Sequence, residues 1–209
     1  MNRDPKKRVE NLKRATPTRK PDQDPENRVP PGQYLTEKFP ILTHGPTPKV
    51  NLERWQFRVY GLVAEDKMWT YEEFLALPQI DLTTDFHCVT RWTQLDNTWT
   101  GVPITELIKH IGIQRDVKYV MVHAYGGYTT NLPLIDLLSD DVIFAHSRNG
   151  EPLSAEHGWP LRLIVPKLYA WKSAKWVNGL ELMAHDREGF WEGYGYHNHG
   201  DPWTEERFS

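Results

Sequence analysis

Strands and helices do not alternate regularly along this chain, and their irregular order limits the folds open to it. Residues 55–60 alternate apolar and polar side chains like a half-buried strand, whereas Thr70-Tyr71-Glu72-Glu73 is typical of a capping box that opens a short helix. Pro78 ends that helix, and Pro103 opens another that stops at Gly112. A regular succession of strand and crossover helix would indicate a doubly wound sheet. The observed order predicts an α+β fold with mixed sheets and short helices.

The remaining elements are short. Further strands are predicted at residues 80–88, 117–124, 128–132, 142–146, 161–165 and 177–183, with a helical turn at 134–138. Gly126-Gly127 and Asn149-Gly150 supply turns between some of them. Residues 172–176 form a short amphipathic segment that could be helical.

The composition fits one domain preceded by a polar segment. The chain has 209 residues, and its hydrophobic share of 39% is low, but nine tryptophans offset this because each buries a large area. Residues 1–30 contain almost nothing apolar, so burial cannot offset the entropy of ordering them. We expect a flexible basic arm over residues 1–30 and a single domain over 31–209.

Charge and cysteine content exclude several classes of protein. The net charge of −3 gives no reason to expect a nucleic-acid or membrane partner. The lone cysteine cannot form an internal disulfide, no apolar region follows the basic N-terminus as in a secretory signal, and no apolar run is long enough to span a membrane. These features predict a cytoplasmic protein.

The lone cysteine, Cys88, lies between two side chains that can carry positive charge, His87 and Arg91. Most lone cysteines are small buried apolar residues with no reactivity. A neighbouring cation favours the thiolate, however, which is the form that binds metals or attacks carbonyls. Cys88 is therefore a candidate metal ligand and also a candidate nucleophile.

Two later runs could bind an anion. His157 and Arg162 bracket one of them, and Lys172, Ser173 and Lys175 stand in the other. A guanidinium grips phosphate with its planar fork, and a hydroxyl adds a donor. The alternatives are a turn with a snorkelling arginine and an exposed basic face.

Other motifs are weak or absent. His197-Asn198-His199 with Asp201 could bind a metal, although a polar glycine-rich tail explains the same residues. The chain has no Walker loop, no dinucleotide glycine fingerprint and no Gly-x-Ser-x-Gly motif.

Taken together, these runs resemble the molybdopterin-binding domain of the sulfite oxidase family, especially its short stand-alone bacterial members. The resemblance extends from about residue 31 to the C-terminus. It is carried by Phe39-Pro40, His44-Gly45-Pro46, Cys88-Val89 with Trp92, Trp99-Thr100-Gly101-Val102-Pro103, His157-Gly158-Trp159-Pro160-Leu161-Arg162 and Trp171-Lys172-Ser173-Ala174-Lys175-Trp176. His157, Arg162, Ser173 and Lys175 keep the family's spacing of a His, an Arg and a Ser-x-Lys.

The resemblance implies a molybdenum-molybdopterin cofactor and assigns roles to residues of this chain. Cys88 would be the only protein ligand of molybdenum, and Arg91 would lie near the metal and orient an oxyanion substrate. His44 and His123 would contact the cofactor. The residues implied to hold the pterin and its phosphate are His157, Arg162, Lys172, Ser173 and Lys175.

The implied activity is oxygen-atom transfer to or from a small sulfite- or sulfoxide-like substrate. Leu42-Thr43 precede His44 where eukaryotic members have Arg-Asn, and Arg91 stands alone where they have paired arginines, so charge that binds sulfite is missing. Neither a haem domain nor an immunoglobulin-like domain is recognisable, and a separate electron-transfer partner is expected. Two alternatives stay open: a molybdenum-cofactor carrier without turnover, and a cysteine-dependent hydrolase or transferase that uses His87 or His157.

Overall fold

The computed structural model describes residues 4–15 and 27–209. Its α-helices are α1 (Pro5–Arg14), α2 (Tyr71–Leu75), α3 (Ile104–Leu107) and α4 (Leu134–Leu137). Its strands are β1 (Tyr34–Leu35), β2 (Gln56–Gly61), β3 (Lys67–Thr70), β4 (Ile80–His87), β5 (Trp92–Pro103), β6 (Tyr119–Ala124), β7 (Thr129–Pro133), β8 (Ile143–Arg148), β9 (Glu151–Pro152), β10 (Arg162–Ile164) and β11 (Val177–Met183). Short 3₁₀ turns cover Leu52–Arg54, Ile108–His110, Tyr125–Gly127, Ala155–His157 and Glu192–Tyr194.

The strands form two sheets of mixed direction, which confirms the predicted α+β fold. The larger sheet has the order β1-β5-β8-β10, with β4 added beside β5 and β9 beside β8. The other sheet has the order β3-β2-β11-β6-β7. Pairing is antiparallel except for β1 with β5 and β2 with β11, which run parallel.

The larger sheet is buried on both faces. Neighbouring residues of β8 show this: Phe144 packs into one apolar cluster with the five-stranded sheet, whereas Ile143 and Ala145 pack into another. Successive side chains of a strand point to opposite faces, so the two clusters lie on opposite sides of the sheet. The second cluster, which we call the aromatic cluster, includes Trp92, Trp99, Trp171, Trp191, Tyr169 and Tyr196.

Local sequence signals predict several elements correctly. The capping box of α2 is present, with both Thr70 and Glu73 side chains bonded to backbone amides. Strands β4 and β11 lie where alternation predicts them. The segment at residues 172–176 is a turn, not a helix, and Lys175 there forms an isolated β-bridge with Arg162.

Helix α1 lies inside the segment predicted to be a flexible arm, so that prediction is wrong for residues 4–15. Asp4 caps the helix by accepting a hydrogen bond from the Lys6 amide at 3.0 Å. Val9 is 5% exposed and packs into the aromatic cluster. Lys13 donates to the backbone oxygen of Ser209 at 3.3 Å. The remainder of the predicted arm up to residue 26 lies outside the described residues.

None of the helices in the described ranges combines the length and hydropathy needed to cross a bilayer.

Candidate active site

A cavity of about 460 Å³ opens beside the aromatic cluster. Six parts of the chain wall it: Arg8 of α1, residues 39–48, residues 86–92, residues 125–128, residues 157–176 with β10, and residues 190–196. Its volume is within the usual range of small-molecule and cofactor sites. The cavity is therefore large enough for an organic cofactor.

Cys88 reaches the cavity because β4 ends one residue before it. The chain then turns tightly: the Arg91 amide donates to the Cys88 carbonyl at 2.9 Å, and Arg91 takes a φ of 74°. The Cys88 Sγ lies 3.1 Å from the Thr90 hydroxyl. Burial raises the pKa of the thiol, while Thr90 and the cations Arg8 and Arg162 oppose that shift.

Arg162, on β10, brings a buried positive charge to the same cavity. Its side chain is 6% exposed, and its guanidinium carbon lies 4.9 Å from the Phe86 ring centroid. Nη1 donates to the His157 carbonyl at 3.1 Å, whereas Nε has no hydrogen-bond partner. Burial, with a smaller effect of Arg148, lowers the pKa of Arg162 to about 9, although Cys88 acts in the opposite direction. A bound anion would supply the missing partner.

Lys175, Ser173 and His157 lie around Arg162. Lys175 Nζ donates to the Glu156 carbonyl at 2.7 Å, and burial, followed by repulsion from Arg162, lowers the pKa of Lys175 to about 7. Ser173 Oγ accepts the Val165 amide at 2.9 Å. Burial also lowers the pKa of His157. We call His157, Arg162, Ser173 and Lys175 the cationic group.

The described residues that line the cavity include neither aspartate nor glutamate. Buried cations without carboxylate partners are unfavourable, so this cavity is suited to an anionic ligand. A soft thiol stands beside them, and thiolates favour soft metals. An anionic organic cofactor that carries a metal, such as molybdopterin with its phosphate, fits this set of donors.

The cavity brings together six of the sequence-predicted site residues. They are His44, Cys88, His157, Arg162, Ser173 and Lys175. His44 packs against Phe190, with ring centroids 4.4 Å apart. The described cavity lining excludes three others, Arg91, His123 and Lys172.

Each excluded residue has a different environment. His123 points to the outer face of β6, where its Nε2 lies 3.1 Å from both the Tyr60 hydroxyl and Glu181 Oε2. Arg91 packs near Gly32, and its closest charged neighbours are Arg207 and Glu205. The predictions of cofactor contact for His123 and of a place near the metal for Arg91 therefore find no support in the geometry.

Lys172 is turned away from the cavity although it neighbours Ser173. Its Nζ lies 2.6 Å from Glu192 Oε1 and donates to the carbonyls of Asn131 and Asn198, both at 2.7 Å. These contacts use all three ammonium hydrogens. The geometry gives Lys172 structural contacts and no support for the predicted contact with the cofactor.

Sequence reasoning missed Arg8, which lines the cavity from α1. It stands in a polar segment with no recognisable motif, so no local signal marks it. The wall formed by Phe190, Trp191 and Tyr196 belongs to the aromatic, glycine-rich run near the C-terminus. That run could be noticed in the sequence, but its position could not be assigned.

The two mixed sheets, the thiol and the carboxylate-free cationic group fit a molybdopterin-binding oxidoreductase. The family model described as oxidoreductase molybdopterin binding domain matches residues 44–191. The chain belongs to this family, which confirms the resemblance found in the sequence, and its cofactor is molybdenum-molybdopterin.

Similar proteins cover most of the chain. The oxidoreductase YuiH of Bacillus subtilis, itself described as uncharacterized, is 44% identical over 92% of this chain and 96% of its own length. The putative protein-methionine-sulfoxide reductase subunit YedZ1 of Azospira oryzae is 30% identical over 83% of this chain and 68% of its own length. The sulfane dehydrogenase SoxCD of Paracoccus pantotrophus shares the fold, with a TM-score of 0.62 and 24% identity over 68% of this chain and 41% of that chain.

Proposed function

We propose that this protein transfers an oxygen atom to or from a small sulfite- or sulfoxide-like substrate, with Cys88 as the sole protein ligand of molybdenum. The observation that carries the proposal is the shared cavity: the Cys88 thiol and the carboxylate-free cationic group line one space of about 460 Å³. The relative from Azospira oryzae, which is 30% identical, is named a putative protein-methionine-sulfoxide reductase subunit. That name supports the same chemistry.

The cationic group would hold the phosphate of the cofactor. Arg162 is fixed between aromatic rings, with its guanidinium carbon 4.9 Å from the Phe86 centroid and 5.5 Å from that of Phe39. A phosphate would restore favourable pairing to Arg162 and Lys175 in a region of low dielectric. When bound, the cofactor supplies the two-electron redox chemistry, and the protein supplies position and charge.

The aromatic wall would keep water away from the reacting atoms. Trp191 is 7% exposed and stacks on Tyr196, with ring centroids 5.0 Å apart. Cys88 itself is only 6% exposed. Excluding water strengthens every electrostatic interaction inside such a site.

The reaction requires an electron partner. Reduction of a sulfoxide consumes two electrons and two protons and releases the sulfide and one water, whereas oxidation of sulfite consumes one water and releases two electrons and two protons. Each turnover must therefore exchange two electrons with a further molecule, for which we propose a separate electron-transfer protein. The lone cysteine agrees with a cytoplasmic location, which we propose as well.

The test is metal and pterin analysis of protein made in molybdate-replete cells, with wild type beside Cys88→Ser. Near-stoichiometric molybdenum and pterin are expected in wild type. Retained pterin with lost or altered molybdenum is expected in Cys88→Ser, because a hydroxyl is a poor substitute for a thiolate ligand. Unaltered molybdenum in Cys88→Ser would refute the ligand assignment.

Turnover is measured separately, with a reduced viologen and dimethyl sulfoxide for one direction and with ferricyanide and sulfite for the other. Activity in either direction supports oxygen-atom transfer. Loaded wild-type protein that turns over neither substrate would instead indicate a cofactor carrier. Folded wild type that lacks metal and pterin, and that has a hydrolase or transferase activity abolished by alkylation, would indicate a cysteine nucleophile.

A further inference from the structure

The cavity contains a further positive charge, contributed by a different segment from those that carry the cationic group. Arg8 reaches it from α1, outside the residues that the family model matches. Its guanidinium carbon lies 5.1 Å from the Trp191 ring centroid, and Nη1 lies 3.5 Å from the Thr43 carbonyl. Family membership therefore assigns Arg8 no role, and its place in the cavity has to be explained from this chain.

Helix α1 holds Arg8 in place through packing on its other side chains. Val9 is buried in the aromatic cluster and Leu12 packs against that cluster. Lys13 lies over the Phe208 ring at 5.4 Å and donates to Ser209 at 3.3 Å. The helix is held by several contacts, and these keep the Arg8 side chain at the cavity.

Arg8 has no carboxylate partner among the described residues. Its half-buried guanidinium contacts the Thr43 carbonyl, the Trp191 ring and the Tyr196 hydroxyl, and none of these neutralises its charge. The cavity lining around it holds no aspartate or glutamate in the described part of the chain. Five N–H groups in a planar fork, of which few are used, are suited to the oxygens of a small anion.

The position of Arg8 favours substrate over cofactor phosphate. Arg8 contacts Thr43 and Trp191, whereas Arg162 contacts His157 and Lys175. Arg8 also contributes to the lowered pKa of Lys175. Arg8 is also among the cations that act on the Cys88 thiol. With the phosphate on the cationic group, as proposed above, Arg8 remains as a cation for the substrate.

We propose that Arg8 binds the anionic oxygens of the substrate and so sets a preference for small oxyanions over neutral oxygen-atom donors or acceptors. The proposal rests on the proposed function, because the cavity must be an active site for Arg8 to select a substrate there. It also accounts for Arg91, which was expected to orient an oxyanion but lies outside the described cavity lining. Helix α1 is then a functional part of the active site.

The test compares cofactor-loaded wild type with Arg8→Gln, Arg8→Lys and Lys7→Gln. Lys7 is exposed on the same helix and does not line the cavity, so Lys7→Gln removes one charge from α1 without touching the site. Molybdenum and pterin content is measured first. All three variants are expected to match wild type in both.

Binding is then measured by calorimetric titration with sodium sulfate, which needs no turnover. Arg8→Gln is expected to bind sulfate at least about tenfold more weakly than wild type, which corresponds to about 1.4 kcal/mol. Arg8→Lys should fall between the two, because it keeps the charge without the fork. Lys7→Gln should match wild type.

Kinetics give the second measurement. The KM for sulfite should rise about tenfold in Arg8→Gln, while the KM for dimethyl sulfoxide should stay unchanged. If wild type turns over neither compound, the proposed function fails, and the sulfate titration still decides whether Arg8 binds an anion.

Three results would overturn the proposal. They are equal sulfate binding by wild type and Arg8→Gln, no sulfate binding by loaded wild type, and loss of molybdenum or pterin in Arg8→Gln. The last result would place Arg8 on the cofactor instead. If Arg8→Gln does not fold, Arg8→Lys decides: unchanged sulfate affinity and KM there would count against a role for the guanidinium fork.

Discussion

Lys172 and Glu192 form an ion pair with 2.6 Å between Nζ and Oε1, and their side chains are only 0% and 1% exposed. Glu192 Oε1 also accepts hydrogen bonds from Trp171 Nε1 at 2.8 Å and Thr130 Oγ1 at 3.0 Å. The pair therefore ties the turn that carries Ser173 to the C-terminal segment that walls the cavity.

Lys172→Met should destabilise the cofactor-free protein by about 3–5 kcal/mol, because it leaves the Glu192 carboxylate buried without its cation. Urea unfolding followed by circular dichroism measures the loss. The control is Lys67→Met, whose exposed pair with Glu65 should contribute less than about 1 kcal/mol. Unchanged apo stability together with lost cofactor would return Lys172 to the role that the sequence suggested.

Arg162→Met should raise the stability of the cofactor-free protein and lower its cofactor content. Without cofactor, the change removes a buried cation that has no carboxylate partner, so apo stability should rise by about 1–4 kcal/mol. Molybdenum and pterin content should fall, because the proposed contact of Arg162 with the cofactor phosphate is lost. Urea unfolding of the apo protein measures the change in stability, and metal and pterin analysis measures the change in cofactor content. Lower apo stability with full cofactor content would contradict the assignment.

The free energy of unfolding should depend on pH because His199 gains a proton as the pH falls. Its ring nitrogens lie 3.0 Å from Asp136 Oδ2 and 2.8 Å from Glu206 Oε2, and the hydrogen bond with Asp136 is the main cause of its raised pKa. A raised pKa stabilises the folded state fully below the unfolded value of about 6.5, and the gain is lost as pH rises through the folded value. Because His199 is 38% exposed, the effect should be under about 1 kcal/mol.

The measurement is urea unfolding of wild type and His199→Gln between pH 5.5 and pH 9 (roughly the range over which a histidine charge changes). The stability difference should be largest at the acid end and shrink as pH rises. Asp136→Asn should weaken the trend. A difference that grows with pH would show that His199 is not stabilised in its protonated form.

Gly101→Ala should disturb the pairing of β5 with β8. A Cβ at this position would lie 2.1 Å from the Phe144 carbonyl oxygen, so the strands would have to move apart. Overpacking of this kind costs about 1–3 kcal/mol. Gly193→Ala is the control, since only a Glu188 oxygen at 3.9 Å would approach the new methyl group. Equal stability of the two variants would contradict the close approach.

The family resemblance, through the spacing of His157, Arg162, Ser173 and Lys175, was enough to predict that these four residues line one cavity, because they lie on short, neighbouring segments. The same reasoning did not place Lys172, since adjacency in the sequence does not reveal that the Ser173 side chain turns toward the cavity and the Lys172 side chain toward Glu192. The predicted cofactor contact of His123 finds no support for a similar reason. Val122 beside it points inward, so His123 points outward.

Strand β5 shows what local pattern cannot predict. It is the longest strand, but Asp96 and Asn97 interrupt its apolar side chains, and such residues usually favour turns. Its pairing with β1, β4 and β8 overrides that preference, with a local φ of 56° at Asp96. Arg8 could not be predicted either, because only the tertiary packing of α1 brings it to residues far away in the chain.

The contact between Arg8 and Trp191 joins positions near the two ends of the sequence. The parallel pairing of β2 with β11, which sets Arg58 beside Gly179, also joins residues far apart in the sequence. During synthesis, the walls of the cavity cannot close until the segment up to Tyr196 has left the ribosome. The cavity can therefore enclose a cofactor only after nearly the whole chain has been made.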